Sequence, residues 1–218
     1  MKKMILALTA LLFTGSAAVK AQVETRTVVR STISGGKKGE IVNIDNAKYR
    51  ITYEAKWVNN TSIKPFIYTD SEMRLDIGEK VTNFYDRTKQ VKDSLMQEKV
   101  KTGNFDFSDL PKGGCFPFSY YKNYPTAGKS IQLESVGTTD YQCTENVETP
   151  DWQLIPDSTA DIIGYHCQLA KTQFKGRTWF AWYAEDVPLQ EGPWKLIGLP
   201  GLILKAYDEN KEYTFTAV

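Results

Sequence analysis

The chain has 218 residues, 41% of them hydrophobic, with 27 Lys and Arg against 26 Asp and Glu. Near-neutral charge without a basic stripe argues against nucleic acid as a partner, which demands a basic face. The length suits one domain, and the apolar content is enough to bury a substantial core.

The N-terminus opens Met1-Lys2-Lys3, continues through an apolar run over residues 4–13, and closes on small residues ending Val19-Lys20-Ala21. A basic start, a short apolar run and a small-residue cleavage site predict a signal peptide over residues 1–21. The apolar run is too short for a bilayer span, which needs about 20 residues. No cysteine follows it to accept a lipid. The expected mature protein is one soluble domain, residues 22–218, beginning at Gln22, periplasmic or secreted and without a transmembrane anchor. Losing Lys2, Lys3 and Lys20 leaves 24 basic residues against 26 acidic ones, a net charge of −2.

Residues 48–58 alternate, with Tyr49, Ile51, Tyr53, Ala55 and Trp57 on one face and Arg50, Thr52, Glu54 and Lys56 on the other, the pattern of a half-buried strand. Short strands are predicted at 66–68, 73–77 and 81–85. Residues 91–100 carry a helical pattern led by Val91 and Leu95. Glycines and prolines then break up residues 102–128, which read as an irregular segment or long loop. Strands resume at 130–136, 141–143, 152–155, 162–174, 178–184, 202–207 and 213–218, with Lys175-Gly176 as a hairpin turn. Many strands joined by short turns predict a curved, mainly antiparallel sheet with one or two short helices. Because the sequence stops inside a predicted strand, at Thr216-Ala217-Val218, we expect one or two further strands to be missing.

Cys115, Cys143 and Cys167 are the three cysteines. In an oxidising compartment their arithmetic is one disulfide and one leftover thiol, with three buried thiols as the alternative. Spacing does not give the connectivity. Cys143 with Cys167 is the expected pair, since both sit in strands assigned to one sheet.

The C-terminal third carries a recognisable pattern: Ile163-Gly164-Tyr165-His166-Cys167, Ala170, Phe174, Gly176-Arg177, Ala181-Trp182-Tyr183, Val187-Pro188, Gly192-Pro193-Trp194, and Gly198-Leu199-Pro200-Gly201-Leu202-Ile203-Leu204. In order and spacing it resembles the GLPGLI family, exported proteins of Bacteroidetes named for the motif found here at Gly198 to Ile203. The resemblance spans residues 152–215 and extends weakly toward the N-terminus through Arg74-Leu75-Asp76-Ile77 and Asn83-Phe84-Tyr85. It implies export and little about activity, because the family's role is mostly unknown. Members continue beyond the strand after the motif, which fits the expected truncation. Asp93-Ser94-Leu95 and Asp157-Ser158-Thr159 resemble that phylum's O-glycosylation triplet; as bare sequence they also fit a cap or a turn.

Physically, Gly198-Leu199-Pro200-Gly201 fits a tight turn with Gly201 at positive φ, delivering Leu202, Ile203 and Leu204 into a buried strand. None of these side chains transfers a proton or attacks a carbonyl, so a functional role would use shape, as the rim of a ligand site does. The one histidine, His166, neighbours Cys167, and consecutive strand residues point to opposite faces, so the two form no nucleophilic dyad. One histidine and scattered cysteines supply no zinc set, and no Gly-rich phosphate loop is present, so neither metal nor cofactor is expected. Trp179, Ala181 and Tyr183 share one face of their strand, and Phe180 and Trp182 share the other. Both faces are therefore covered, by protein layers or by a ligand; Trp179, Tyr183 and Trp182 are the candidate ligand wall.

The fold resembles the open β-barrel of periplasmic lipoprotein carriers. The expected function is an exported, non-enzymatic envelope protein holding a hydrophobic or amphiphilic ligand, or a partner protein, in the concavity of the sheet. Two alternatives stand beside it: a secreted hydrolase using carboxylates or Cys/His, and a structural accessory of an outer-membrane assembly. A deep apolar groove would favour the carrier, converging acids in a polar cleft the enzyme, and a flat exposed apolar patch the accessory.

Overall fold

A computed structural model describes residues 27–32, 41–116, 118–136 and 139–218. The expected signal peptide and its cleavage site lie outside the described residues. β1 (Thr27–Thr32) and β2 (Ile41–Ala47) form an antiparallel ribbon, and the remaining strands form one eleven-stranded antiparallel sheet that is not closed into a barrel. A first meander runs β3 (Tyr49–Val58), β4 (Tyr68–Ile77), β5 (Thr82–Asp86), helix α1 (Arg87–Thr102), β6 (Phe118–Lys122), β7 (Lys129–Val136) and β8 (Thr139–Asn146) out to one edge. The chain then crosses to the other edge. A second meander of β9 (Gln153–Ile162), β10 (Tyr165–Phe174), β11 (Arg177–Ala184), β12 (Leu202–Asp208) and β13 (Tyr213–Ala217) returns until β13 pairs with β3.

This connectivity dictates curvature. Eleven strands laid flat would spread the edges about 48 Å apart at the usual strand spacing, yet residues 147–152 alone join β8 to β9. Seven Cα steps reach at most about 25 Å, so the sheet must curl. Closure fails for a related reason. Every neighbouring pair is antiparallel, so in the sheet's own frame the two edges run in the same sense. The end of one, however, is tethered to the start of the other. Parallel neighbours need a crossover of a dozen or more residues; with six, the edges stay staggered and unpaired.

The main core draws on both meanders, with Tyr53, Met73 and Phe84 from the first and Trp179, Tyr183, Ile203 and Phe215 from the second. A smaller cluster of Val81, Tyr121 and Ile131 packs against Ile44 and Ala47 of β2, which brings the ribbon over the first meander. Asp45 of the ribbon accepts from the backbone N–H groups of Lys80 (2.7 Å) and Val81 (2.9 Å). α1 starts at Asp86, whose Oδ1 accepts from Lys89 N (2.8 Å) while Oδ2 accepts from Phe116 N (2.6 Å), and it stops at Gly103 in the left-handed region (φ 69°).

The mainly β, curved antiparallel sheet with one helix is as expected; several boundaries are not. The strand read at 73–77 begins at Tyr68 as β4, residues 66 and 67 of the strand read before it are not in a strand, and the irregular stretch contains β6. Residues 162–174, read as one strand, break at Ile163 (φ 44°) and Gly164 (φ 84°), a turn with two positive φ values. Isoleucine is among the residues least suited to that conformation, which hid the turn. Lys175-Gly176 is the hairpin turn expected (φ 49° and 80°).

Candidate functional site

The connection from β11 to β12, residues 185–201, carries the glycine-proline motif, and it is built into the core. Leu196 and Leu199 are buried, as are Leu202 and Ile203 beyond them. Backbone bonds hold the connection down: Leu202 N donates to Val187 O (3.0 Å), Ile203 N to Glu191 O (3.0 Å) and Gly198 N to Gln190 O (3.1 Å). The Tyr53 hydroxyl donates to Ile203 O (2.7 Å), and Trp152 Nε1 to Ile197 O (2.8 Å). Glu191 ion-pairs with Lys122 of β6, and Lys195 with Glu145 of β8. Trp194 lies among Phe118, Phe174 and Trp179. The motif connection thus ties the second meander to strands of the first.

The motif glycines differ from expectation. Gly198 takes positive φ (92°) and Gly201 does not. Gly201 is required by close approach instead: a Cβ there would collide with the carbonyl oxygen of Ala184. Exposed Pro200 separates the buried Leu199 from Gly201.

The candidate ligand wall is divided. Trp179 (2% exposed) and Tyr183 (0%) share the buried face of β11 with Ala181. Trp182 is half-buried on the opposite face, beside Phe180, which stacks on Tyr207 (5.4 Å between centroids). The three do not form one wall, and core side chains cover the Trp179–Tyr183 face.

The cysteines are free thiols: Cys115 half-buried, Cys143 exposed, Cys167 buried. The expected Cys143–Cys167 bridge is not formed, because Cys143 is an exposed residue of the edge strand β8 whereas Cys167 sits at 0% exposure in β10, toward the other edge. Shared membership of one sheet, the sole basis for the pairing, says nothing about adjacency when eight strands intervene. Burial pushes the Cys167 thiol up to about 11, so it is protonated at neutral pH. His166 is exposed beside Asp161 (Nδ1···Oδ1 3.3 Å) and, as its alternation with Cys167 requires, lies apart from that thiol. No group of three or more His, Cys, Asp and Glu is placed to hold a metal among the described residues.

A polar cleft of about 520 Å³ opens where the β10–β11 and β12–β13 hairpins meet, lined by Gln173, Lys175, Arg177, Thr178, Asp208 and Glu209 among others. Its charges already answer one another. Arg177 donates to Asp208 Oδ2 (2.8 Å) and Glu212 Oε2 (2.6 Å) and covers the Tyr213 ring (4.8 Å), while Asp208 Oδ1 accepts from Tyr213 N (2.6 Å). Asp208 and Glu212 are bound by one guanidinium, which clasps two hairpins together, and Glu209 accepts from the Thr178 hydroxyl (3.1 Å).

Uncovered apolar surface concentrates at the α1 end of the sheet. The β3–β4 connection exposes Ile63 and Ile67, the latter to 69%, with Tyr68 following at 43%. Val100 near the end of α1 and Phe105 and Phe107 just beyond it are exposed to 59%, 71% and 42%. Segment 103–116 folds back along the helix through Lys99–Asp109 (2.8 Å) and Lys92 Nζ to Gly113 O (2.9 Å), and Gly114 packs against Thr69 and Trp57. Lysine accompanies these apolar groups: Lys64 Nζ sits 3.0 Å above the Phe66 ring. Sequence reasoning passed over this surface because isolated apolar residues between breakers have no periodicity. Among the described residues no helix is long and apolar enough to cross a membrane.

Comparison with known proteins adds one family and one structural likeness. Two crystal forms of PNGF-II, in space groups P21 and C2, are similar at TM-scores of 0.46 and 0.45 and 18% identity, over 78% of this chain. The chain spans 27% and 26% of the length of those two. No curated protein matches it. Residues 130–205, which include the Gly198–Ile203 motif, match the family described as "Protein of unknown function (Porph_ging)", consistent with the resemblance drawn from that motif.

Proposed function

We propose that the chain is an exported protein of the bacterial envelope that binds amphiphiles through the apolar surface at its α1 end. The observation that carries this reading is the concentration of exposed side chains on two segments, Ile63 and Ile67 on the β3–β4 connection and Val100, Phe105 and Phe107 at the end of α1 and just beyond it. Apolar surface of this kind marks a contact with a partner or an interface with lipid. Lysines in the same segments of chain, Lys64, Lys101 and Lys112, favour anionic headgroups, while the apolar tips reach the acyl boundary. Export rests on the tripartite segment at residues 1–21. Leu196 and Leu199 of the motif connection fill the core, which supports an outer surface over the concavity as the binding site.

The test is co-flotation with vesicles of phosphatidylcholine containing phosphatidylglycerol. The protein should float with anionic vesicles, and the double variant Ile67→Ser/Phe105→Ser should not, while melting as wild type does. Failure to float on any vesicle would overturn the amphiphile reading and leave the surface to a protein partner.

A further inference from the structure

The two edges of the sheet are not equally guarded. β9 contains Pro156, and at Asp157 (φ 58°) its register with β10 jumps from Thr159↔Gln168 to Ile155↔Leu169. A missing N–H and a bulge both spoil a strand as a template for another. β8 has neither. Its eight residues run in unbroken register with β7, no proline interrupts them, and residues 141–144 are exposed.

The direction of its free backbone groups follows from one hydrogen bond. Val147 N donates to Gly128 O (2.9 Å), on the β7 side, and Lys129 pairs with Asn146 in the same register. Backbone groups alternate sides along a strand. Glu145, Cys143 and Tyr141 therefore turn theirs toward β7, whereas Gln142 and Thr144 turn theirs away from the sheet.

We propose that β8 is a dimerisation edge, pairing antiparallel with β8 of a second copy about a two-fold axis at Cys143. In this register Gln142 exchanges both N–H···O bonds with Thr144 of the second copy, and Thr144 does the same with its Gln142. Tyr141 comes opposite Glu145, so that carboxylate meets a ring and not another acid. Cys143 comes opposite its own copy in a non-hydrogen-bonded pair, where Cα atoms lie about 4.5 Å apart, inside the roughly 4.4–6.8 Å that a disulfide bridges. The two-fold contact is closed: it consumes both unguarded edges and leaves a guarded β9 at each end of the joined sheet. With a small-molecule disulfide such as oxidised glutathione, two Cys143 thiols exchange to give one Cys143–Cys143 bond and two glutathione thiols. Registers centred on Gln142 or Thr144 obey the same backbone parity but place Cys143 opposite Tyr141 or Glu145, and they would not cross-link.

Light scattering under reducing conditions should give twice the monomer mass. Oxidised glutathione should then produce a covalent dimer whose linked peptide contains Cys143 twice. Cys143→Ser should keep the non-covalent dimer and lose the covalent one. Thr144→Pro removes an outward N–H, at a position where an edge strand accepts proline, and should halve the mass while melting cooperatively, with the melting temperature that the wild type shows at dilutions where it is monomeric. As a readout independent of any variant, amide exchange at Gln142 and Thr144 should slow as protein concentration rises, while exchange at Cys143 stays constant. A monomer at every concentration, a dimer that survives Thr144→Pro, exchange at Gln142 and Thr144 that ignores concentration, or a cross-link through Cys115 or Cys167 would each overturn the proposal.

Discussion

At the motif connection of the second meander, between β11 and β12, position is fixed largely by sterics: Gly201 lets the backbone touch Ala184, Gly198 sits against Thr149, and Leu196 and Leu199 fill the space between strands. In the first meander, β3 to β8, polar bonds do more of the fixing. Asp76 accepts from Arg50 (2.6 and 2.7 Å) and from the Tyr85 hydroxyl (3.1 Å), and Asp86 both caps α1 and receives Phe116 N. A steric key fails abruptly, because an added atom has nowhere to go. Polar anchors fail by degrees and with pH.

The largest effect is expected at Gly201. Gly201→Ala puts a Cβ into the Ala184 carbonyl and should cost more than about 4 kcal/mol, the range reserved for severe core disruption. At about 2–4 °C per kcal/mol for a chain of this size, the melting temperature should fall by roughly 8–16 °C. A variant melting within a few degrees of wild type would dissolve the contrast between the two meanders. Leu199→Ser removes a buried side chain and leaves a hydroxyl in its place, with an expected cost of about 3–5 kcal/mol by the same measurement.

In the first meander, Asp86→Ala deletes the helix cap and orphans a buried N–H, for about 1–3 kcal/mol. Asp86→Asn keeps an oxygen acceptor and should recover part of that loss, a graded response that the glycine site cannot show. Burial, then the Asp76 carboxylate beside it, pushes the Tyr85 hydroxyl up to about 12. The unfolded chain releases that proton near pH 10 while the folded chain keeps it, so this contribution is intact below pH 10 and drains away between pH 10 and 12. Denaturant melts across that interval should show a loss of about 2–3 kcal/mol that Tyr85→Phe lacks. The smallest effect is chemical: native alkylation at neutral pH should label exposed Cys143 first and leave Cys167 unlabelled until the protein unfolds. Early labelling of Cys167 would mean that β10 opens independently of the rest.

Legibility in the sequence follows the same division. Alternation from Tyr49 to Trp57 showed β3 and its faces, because one side of that strand is buried at regular intervals. Lys175-Gly176 was readable, since turn chemistry is local, whereas Ile163-Gly164 was masked by a residue that seldom enters such a turn. The helix was found from residue 91 only, because its first turn, Arg87 to Gln90, carries no apolar residue to start the pattern, and its Asp86 cap was missed with it. Gly201 was identified as necessary for the wrong reason: sequence can suggest a special backbone angle, but a collision with Ala184 exists only after folding. The pairing of Cys143 with Cys167 failed similarly, since strand order is long-range information that spacing does not hold. The apolar surface near Ile67 and Phe105 was invisible because it has no period.

The central joint of the sheet, β13 against β3, sets an order of assembly. Ala55 pairs with Phe215, 160 residues later in the chain. Hairpins within each meander close quickly over short loops, but this joint must wait for a contact of very long sequence separation. As the chain emerges from its N-terminal end, β3 therefore stands as a provisional edge until the ten strands β4 to β13 have followed. It is relieved only when residues 213–217 emerge, so the first meander spends most of its early life needing protection along the strand that ends up in the middle.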